Sequence, residues 1–600
     1  MPSLACHDDL SPARQAGRSG TGSRAPAFPV TVTMGNAEVA AALREIATLL
    51  DLQGIARFKV RAYERGAEAI ENLTEDVAEL VRTGGLRRVP GIGPALARTV
   101  GELATTGRST RLDDLRADAP PGAAELAAVL TRRQMVALHD ALGIASLADL
   151  KAAGEAGRIR AVPRFGARSE RRILAALAAL GARDPRLKLA EALRQGERLL
   201  DLLRRQGGVE RVALGGDLRR RVELIDRLDV VVASPDPARA LEQTTRLSVV
   251  RHATILGASE ARLRLVSGLD ARVTATAPAA HAVALHRATG SPAHLAKLTA
   301  VGAARGVRWD ADLLYRGAER LTVETEAELY RHLGLAEIPP ELREDEGEVE
   351  AALAGTLPED LVRSEDIRGM VHCHTRYSDG RHTIEEMARA ADARGMAYLT
   401  ITDHSPSASY ARGLDIERLR RQWDEIASAQ ERVGVRLLRG TECDILKDGA
   451  LDYPDEVLAQ LDIIIASVHQ RYRMGPMEMT RRLLRAIRHP LFKIWGHPLG
   501  RHLASRPPLD CDMDVVLDAV ASAHAAIEIN GDPDRLDLPP RWIREARRRG
   551  IRFVISTDAH SVGALENLRW GVDIARRGWV RRGEVLNARD IEEFRQAVRP

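Results

Sequence analysis

The sequence has little cysteine, little lysine and no long apolar run. The shortage of cysteine and of apolar runs argues against several classes of protein. Its four cysteines show no zinc-finger or disulfide spacing, so we expect a reduced, cytoplasmic setting. No apolar stretch reaches the roughly 18 residues that a membrane span requires. No apolar secretion signal opens the chain either, so secretion is not expected. Only six residues are lysine, which indicates a composition bias rather than a functional choice.

Length and charge give broad limits on the number of domains and on possible partners. Six hundred residues are too many for one hydrophobic core, so about two to four domains are expected. A hydrophobic fraction of 45% is typical of a soluble globular protein. A net charge of +4 neither requires nor excludes a nucleic-acid partner, because a basic face on one domain would matter more than the total.

Residue patterning divides the chain into six parts. Gly, Ser, Pro and Arg without periodicity predict a disordered tail, after which Met34 is an alternative start. Helical periodicity follows, then short β-rich runs mixed with helix, a stretch of helix and loop, an exposed acidic linker, and strands that alternate with helices. Seven strand–helix repeats in the last part predict a closed or nearly closed parallel barrel. The parts are residues 1–33, 34–182, 183–282, 283–340, 341–365 and 366–600.

Histidines and carboxylates stand at the ends of the predicted barrel strands. Residues two apart point to one face of a strand, and the C-terminal mouth of a barrel would gather them. A lone histidine is usually a packed or surface residue, but this many ligand-type residues at strand ends favour a metal cluster. Imidazole and carboxylate without thiolate suit zinc, manganese or iron. The set is His372, His374, Asp379, His404, Glu442, His469, His497, Asp558 and His560.

A resemblance to a known family is carried by the stretches MVHCHTRYSDG, TITDHS, GTECDIL, IASVHQ, GHPLGR and STDAHS. They are similar to the PHP (polymerase and histidinol phosphatase) domain fused to family X DNA polymerases of bacteria and archaea. The resemblance implies metal-ligand roles for the whole set, with two or three Mn²⁺ or Zn²⁺ ions. It also implies hydrolysis of DNA from 3′ ends, and processing of abasic or 3′-phosphate lesions in some members. The residues given catalytic roles are His372, His374, Glu442, His469, Asp558 and His560.

The helical part contains a candidate DNA-binding hairpin. LRRVPGIGPALARTV has the helix–hairpin–helix form, in which Gly91 and Gly93 let the backbone approach a phosphate. A plain helical hairpin with a glycine turn is the alternative. Upstream, FKVRAYERGAEAI resembles the lyase-like first domain of family X polymerases, with Lys59 as a phosphate contact. Thr99 stands where lyase members carry the Schiff-base lysine, so no lyase activity is expected.

The next part resembles a polymerase palm with a damaged centre. LGGDLRRRVELIDRLDVVVAS is similar to the nucleotidyltransferase signature, whose three carboxylates hold two magnesium ions. Asp229 and Asp270 match the second and third carboxylates, but the first falls at Arg227, which cannot bind a cation. Asp217 replaces the signature serine. We therefore expect the fold to be retained and templated synthesis to be weak or lost, unless a bulge brings Asp226 into the site.

Five further residues are candidate substrate contacts. Arg220 of the palm signature is kept as a phosphate contact, and Gly290 and Ser291 are kept in the thumb stretch ALHRATGS. Near the PHP motifs, Arg501 and Arg535 could clamp a phosphate, because guanidinium matches phosphate in a bidentate way. An exposed, solvated side chain is the alternative for each of these two arginines.

The sequence therefore predicts a multidomain DNA repair enzyme. Its parts are an all-α helix–hairpin–helix region, an α+β nucleotidyltransferase palm with a thumb, and a distorted (β/α)7 PHP barrel that acts as a 3′-5′ exonuclease. We expect a cytoplasmic monomer that binds gapped, nicked or single-stranded 3′ ends. Binding of dNTP, and of Mg²⁺ in the palm, stays open. The alternatives are an active gap-filling polymerase with a proofreading PHP domain, a non-catalytic DNA-binding scaffold, and a small-molecule phosphatase.

Overall fold

A computed structural model of the chain describes residues 34, 36–71, 77–89, 91–181 and 186–598. The tail predicted to be disordered, residues 1–33, lies outside the described residues. Among the described residues, the helices are too short or too polar to cross a membrane.

The N-terminal part is helical, as predicted, and has a hydrophobic core of its own. In its first helix the buried residues Val39, Leu43, Ile46 and Leu50 recur every three to four positions and so form one apolar face. This face packs against the second, fourth and fifth helices. The helices are α1 (Asn36–Leu52), α2 (Arg57–Glu71), α3 (Val77–Arg82), α4 (Pro94–Thr106), α5 (Thr110–Ala117), α6 (Ala123–Leu126), α7 (Arg132–Leu142), α8 (Leu147–Glu155) and α9 (Ala167–Gly181).

The palm is a five-stranded sheet with helices packed against it. The strand order is β2-β4-β7-β6-β5, and β4 runs parallel to β7. The short β-rich runs predicted for residues 183–282 are present as strands, but β5 has no apolar pattern to predict it because it is an edge strand exposed along nearly its whole length. The elements are β1 (Leu187–Lys188), α10 (Leu189–Arg204), β2 (Arg211–Leu214), α11 (Gly216–Arg219), β3 (Leu224–Ile225), β4 (Arg227–Ala233), α12 (Pro237–Thr245), β5 (Val250–Leu256), β6 (Glu260–Leu265), β7 (Asp270–Thr276) and α13 (His281–Thr289).

The thumb and the segment after it differ from the prediction in two ways. Residues 283–340 contain a three-stranded antiparallel sheet in addition to helix and loop. The stretch predicted as an exposed linker is packed, since Arg343 and Glu348 are fully buried. Arg343 pairs with Glu326, and Glu348 Oε1 lies 2.6 Å from His294 Nδ1, so these charges are compensated. The elements are α14 (Pro292–Ala304), β8 (Val307–Asp310), β9 (Leu313–Arg316), β10 (Glu319–Leu321), α15 (Glu326–His332) and α16 (Glu348–Ala354).

The C-terminal part is the predicted barrel of seven parallel strands, arranged in the order β11 to β17. Helices or turns connect successive strands, so every strand points the same way and all carboxyl ends meet at one mouth. The elements are β11 (Gly369–Met370), α17 (Ile384–Asp392), β12 (Tyr398–Ile401), α18 (Ile416–Gln430), β13 (Arg436–Asp444), α19 (Asp455–Leu458), β14 (Ile463–Ser467), α20 (Pro476–Ile487), β15 (Ile494–Trp495), α21 (Met513–Ser522), β16 (Ala526–Asn530), α22 (Pro540–Arg548), β17 (Phe553–Ser556), α23 (Leu568–Arg577) and α24 (Ile591–Val598).

The barrel is nearly closed at its mouth and plugged at its other end. Beyond β11 and β17, Cys373 and Ala559 form a parallel bridge, in which the His374 amide donates to the Ala559 carbonyl at 2.9 Å. At the amino ends of the strands, Phe594 of α24 stacks on Tyr398 with the ring centroids 4.9 Å apart. The interior is filled by buried aliphatic side chains. The carboxyl-end mouth is therefore where a polar site can form.

The palm and the barrel are joined by partly buried ion pairs. Glu223 of the palm lies 2.6 Å from Arg577 of α23 and 3.2 Å from Arg501 of the barrel. Burial alone would raise the pKa of Glu223, but Arg577 and Arg501 hold it below its usual value. The two domains also share one continuous hydrophobic core. Their relative position is therefore fixed by charge pairing as well as by apolar contact.

This geometry predicts the effect of Glu223→Gln. The change should lower the free energy of unfolding by about 2 kcal/mol at pH 7, because Arg501 loses its carboxylate partner and Arg577 keeps only the longer pair with Glu344, at 3.4 Å. Since the folded-state pKa is depressed, this stabilisation is present above roughly pH 4.3 and is lost as the pH falls further. Calorimetry of both proteins from pH 7 to pH 3 measures the difference and its decline in acid.

The matched control is Glu417→Gln. Glu417 forms an exposed pair with Arg421 at 3.7 Å, and such pairs contribute less than about 1 kcal/mol. Equal effects of the two changes at pH 7 would contradict the role given to Glu223.

Candidate metal centre

The predicted ligand residues converge at the mouth of the barrel. Short loops after β11, β12, β14, β15 and β17 carry eight of them, and β13 carries Glu442 within the strand. Most are buried, whereas the side chains of Asp379 and His560 are 34% and 37% exposed and so mark where the site opens. The alternation argument is also confirmed, because His372 and His374 both face Glu442 and Asp558.

Glu442 lies at the centre of the cluster. Its two carboxylate oxygens contact five imidazole nitrogens that come from four segments of the barrel. The distances are 2.7 Å to His497 Nε2 and 3.0 Å to His469 Nε2 from Oε1, and 3.0 Å to His404 Nδ1, 3.4 Å to His372 Nε2 and 3.5 Å to His374 Nε2 from Oε2. A fully buried carboxylate is thus shared among imidazoles that come from distant parts of the sequence.

The donor set fits metal ions. His372 Nε2, His374 Nε2, His404 Nδ1 and Glu442 Oε2 are buried, and although they lie near one another they form no hydrogen bond among the described residues. These atoms face one another, and an unpaired buried polar group is costly unless it has a ligand. Three overlapping groups have ligand atoms close enough to share an ion: His374 with Asp379, His404 and His560; His372 with His374, Glu442 and Asp558; and His404 with Glu442 and His469. Overlapping groups of this kind favour a multinuclear site.

The surroundings keep the carboxylates ionised. Burial would raise the pKa of Glu442, but the rings of His469, His372 and His404 hold it well below its usual value. Burial likewise opposes ionisation of Asp558, yet His372 and His374 keep its pKa low. Both groups are therefore anionic at neutral pH, which is the form that binds a cation.

Glu528 is a functional residue that the sequence reasoning missed. His372 Nδ1 lies 2.6 Å from Glu528 Oε1, and the His497 amide and the Ser556 hydroxyl donate to the same carboxylate. Such a contact fixes the ring so that Nε2 of His372 points into the cluster. A signal was available, since Glu528 is the one charged residue of β16, whose residues are all buried.

Asp403 is a second missed residue, and it holds the loop that carries Asp379. Its carboxylate accepts hydrogen bonds from the Thr375 amide at 2.8 Å, the Thr375 hydroxyl at 2.6 Å and the Ser378 amide at 3.1 Å. Gln422 of α18 donates to it as well, at 2.6 Å. Asp403 thereby positions the loop between His374 and Asp379 without facing the cluster itself.

The two predicted phosphate clamps occupy different places. Arg535 lies at the cluster, with Nε 3.2 Å from Asp558 Oδ2, and its Nε and Nη1 atoms are buried without a hydrogen-bond partner among the described residues. Arg501 instead turns to Glu223 of the palm and donates to the backbone carbonyls of Arg535 and Leu536. This geometry favours a phosphate contact for Arg535 and a role between domains for Arg501.

In the palm, Asp229 is paired with arginines. Arg272 Nε lies 2.7 Å and Arg227 Nε 3.3 Å from Asp229 Oδ1. Asp270, at the start of β7, pairs with Arg264 at 2.9 Å. Asp226 lies in the bend before β4 and is exposed. Arg227 therefore lies beside Asp229, where the resemblance would place the first carboxylate, and the bulge that would bring Asp226 into the site is not formed.

The other predicted nucleotide contacts are bound to protein groups. Arg220 contacts Asp217 and donates to Glu344 at 2.9 Å. Ser291 caps α14, where its hydroxyl accepts from the His294 amide at 3.1 Å. A side chain at Gly290 would meet Leu295. These residues hold palm, thumb and the following segment together, and their role toward a nucleotide stays a prediction.

The predicted DNA-binding hairpin has the backbone that the motif requires. Gly91 has φ 88°, in the left-handed region, and Gly93 precedes α4 with Pro94 at the first helical position. No atom would obstruct a side chain at either glycine, and both are exposed, as is Lys59. The free amides at the start of α4 thus face solvent, which suits an anionic ligand; the DNA contact itself stays a prediction.

Fold and site together define a metal-binding phosphoesterase barrel joined to a nucleotidyltransferase-type palm and thumb. Family models described as "Helix-hairpin-helix domain", "DNA polymerase beta thumb" and "PHP domain" match residues 34–109, 284–344 and 371–530. The chain is 33% identical over 567 residues to the DNA polymerase/3′-5′ exonuclease PolX of Bacillus subtilis (strain 168), covering 92% of this chain and 98% of that protein. It belongs to the PolX family of family X DNA polymerases with a PHP domain.

Other relatives match the barrel alone. A probable phosphatase of Caldanaerobacter subterraneus subsp. tengcongensis is 30% identical over 202 residues, which cover 32% of this chain and 74% of that protein. A probable phosphatase of Acetivibrio thermocellus is 29% identical over 199 residues, which cover 32% of this chain and 78% of that protein. The barrel is thus shared with proteins of about half this length or less, and the upstream modules distinguish this chain from them.

The contact between Glu528 and His372 predicts weaker metal binding in Glu528→Gln. The amide accepts a hydrogen bond less strongly and carries no charge, so metal affinity should fall about 10- to 100-fold while the barrel stays folded. Titration with a chelator, followed by elemental analysis of the protein, measures the affinity. Glu566→Gln, at an exposed pair with Arg394, is the control and should bind metal normally. Unchanged affinity in Glu528→Gln would contradict its positioning role.

Proposed function

We propose that the barrel hydrolyses DNA phosphodiester bonds at 3′ ends, as a metal-dependent 3′-5′ exonuclease in DNA repair. The observation that carries this proposal is the group of ligand atoms around Glu442 that lack hydrogen-bond partners among the described residues, with the guanidinium of Arg535 beside it. The Bacillus subtilis relative is named as a 3′-5′ exonuclease. A DNA substrate is favoured over a small phosphate ester because helix–hairpin–helix and thumb modules precede the barrel.

The residues divide the work of such a reaction. The three overlapping ligand groups would hold two or three Mn²⁺ or Zn²⁺ ions, since imidazole and carboxylate donors without thiolate suit both metals. When bound, these ions would polarise a phosphate oxygen and activate a water for attack. Arg535, whose Nε lies beside Asp558, would bind the phosphate through Nη1, which has no hydrogen-bond partner among the described residues. Glu528 and Asp403 would keep His372 and the Asp379 loop in position.

Templated synthesis by the palm is proposed to be weak or lost. In support, Asp229 is neutralised by Arg227 and Arg272, and Arg220 is occupied by Asp217 and Glu344. A Mg²⁺ ion at this position would have to displace two guanidinium groups, and loss of one metal carboxylate commonly costs orders of magnitude in rate. An active gap-filling polymerase is the second candidate, favoured by the same relative's name. If synthesis is weak or lost, as proposed, the palm serves as a platform that presents 3′ ends to the barrel.

The remaining candidates are less well supported. A non-catalytic scaffold does not account for the buried ligand atoms that lack hydrogen-bond partners. A small-molecule phosphatase accounts for the barrel, whose relatives include probable phosphatases, but not for the modules before it. A cytoplasmic location and binding of gapped, nicked or single-stranded 3′ ends belong to the same proposal.

His374→Ala tests the exonuclease. Wild-type protein with Mn²⁺ should shorten 5′-labelled single-stranded and gapped DNA, and the variant should be slower by roughly 100-fold or more, because His374 belongs to two of the ligand groups. Gel analysis of the labelled products measures both rates. His252→Ala changes an exposed histidine of β5 and should act like wild type. Equal shortening by His374→Ala would overturn the proposal, as would DNA that stays intact with wild type.

Arg227→Asp tests the palm. The change supplies the missing carboxylate beside Asp229 and removes one of its two arginine partners. Incorporation of dNTPs at a one-nucleotide gap with Mg²⁺ should therefore rise roughly 10-fold or more above wild type. The comparison is made in a His374→Ala background, so that shortening does not mask extension. Arg239→Asp on α12 is the control, and rapid incorporation by the unchanged palm would contradict the proposal.

A further inference from the structure

Tyr410 is an exposed aromatic side chain beside the metal centre. Of the aromatic residues in the described part of the chain, Phe58 and Tyr410 are exposed, at 68% and 66%. A single exposed apolar residue is ordinary on a protein surface. The position of Tyr410 is not ordinary, because its ring centroid lies 6.1 Å from that of His404 and 6.4 Å from that of His469. It stands at the rim of the cluster, next to two of the predicted ligands.

The loop that carries Tyr410 is held firmly on both sides. The Leu414 amide donates to the His404 carbonyl at 2.8 Å, which closes the loop at its base. The Ser407 amide and hydroxyl bond the Asp452 carboxylate at 2.7 and 2.6 Å, and Gln470 donates to the Ser407 carbonyl at 2.7 Å. The backbone is therefore fixed while the ring at its tip stays open to solvent, as a preformed binding surface requires.

Cationic groups with free donors face the same space. Arg506 lies over the Tyr472 ring at 4.2 Å, and its Nη2 atom is buried without a partner among the described residues. Arg506 Nε donates to the Gly500 carbonyl at 2.8 Å, in the loop that also carries His497. Arg535 lies at the cluster, with Nε 3.2 Å from Asp558 Oδ2. The mouth thus combines anion-binding guanidinium groups with one exposed aromatic face.

We propose that Tyr410 stacks on a nucleobase next to the scissile phosphate. A phosphate held at the ligand cluster by Arg535 places its attached sugar and base within one nucleotide's reach of the ring beside His404. Aromatic side chains bind single-stranded nucleic acid in this way without preference for sequence, because every base has a π face. The inference rests on the proposed nuclease function and adds that the barrel itself recognises the 3′ end as single-stranded, unstacked nucleotides.

The test compares two substrates on the full-length, Mn²⁺-loaded protein. One is ordinary 5′-labelled single-stranded DNA, and the other has abasic tetrahydrofuran residues at the last two positions, so that neither side of the scissile bond offers a base. Tyr410→Ala should lower kcat/KM on ordinary DNA by about 5- to 150-fold. It should change kcat/KM on the abasic substrate by less than about twofold, because that substrate has no base for the ring to stack on. Tyr410→Phe keeps the ring and should act like wild type on both.

A second readout does not depend on hydrolysis. DNA with 2-aminopurine at its 3′ end loses fluorescence when that base stacks, so the wild type in EDTA should quench it and Tyr410→Ala should not. An equal fall in kcat/KM on both substrates in Tyr410→Ala would overturn the stacking role, as would an unchanged kcat/KM on both. Failure of the nuclease proposal is distinct, since it would show as intact DNA with wild type, while the quenching still tests Tyr410.

Discussion

The Glu442 carboxylate is the group on which the C-terminal barrel converges. It is buried and contacts five imidazoles from four separate segments. A buried charge costs several kcal/mol unless it is paired, so Glu442 is tolerable only where the barrel has closed and brought those rings together. The same closure leaves imidazole nitrogens without hydrogen-bond partners, and this makes the cluster suited to cations. Folding and ligand assembly are therefore one constraint in this domain.

That constraint extends to the palm through the loops of the barrel mouth. The loop after β15 carries His497, which contacts Glu442, and four residues later Arg501, which pairs with Glu223 of the palm. Arg501 also bonds the backbone of Arg535, whose side chain reaches Asp558. A movement of the palm would therefore disturb the backbone that positions Arg535. DNA bound by the upstream modules meets a mouth whose position relative to the palm is fixed.

How far the sequence predicts this structure depends on the kind of contact. The seven strands and the residues that end them follow from apolar runs and from alternation, which are local properties. Glu528 and Asp403 were not predicted because their roles depend on which loops meet in space. Strand β5 was not predicted because an exposed edge strand lacks an apolar pattern. The acidic segment around Glu348 looked like a linker, since a sequence does not show that His294 lies opposite. Arg501 was predicted as a clamp for the same reason, because Glu223 is far away in sequence.

The two centres of the chain use the same residue types with opposite results. At the barrel mouth, carboxylates are surrounded by imidazoles, which can exchange a proton for a metal ion. In the palm, Asp229 is surrounded by Arg227 and Arg272, which stay charged at any ordinary pH and bind no cation. An arginine pair stabilises the fold of the palm by compensating a buried carboxylate, and by the same contact it competes with Mg²⁺. The arginine pairs that compensate Asp229 are therefore the contacts on which the proposal of weak synthesis rests, whereas the carboxylates of the barrel face groups that can give way to a cation.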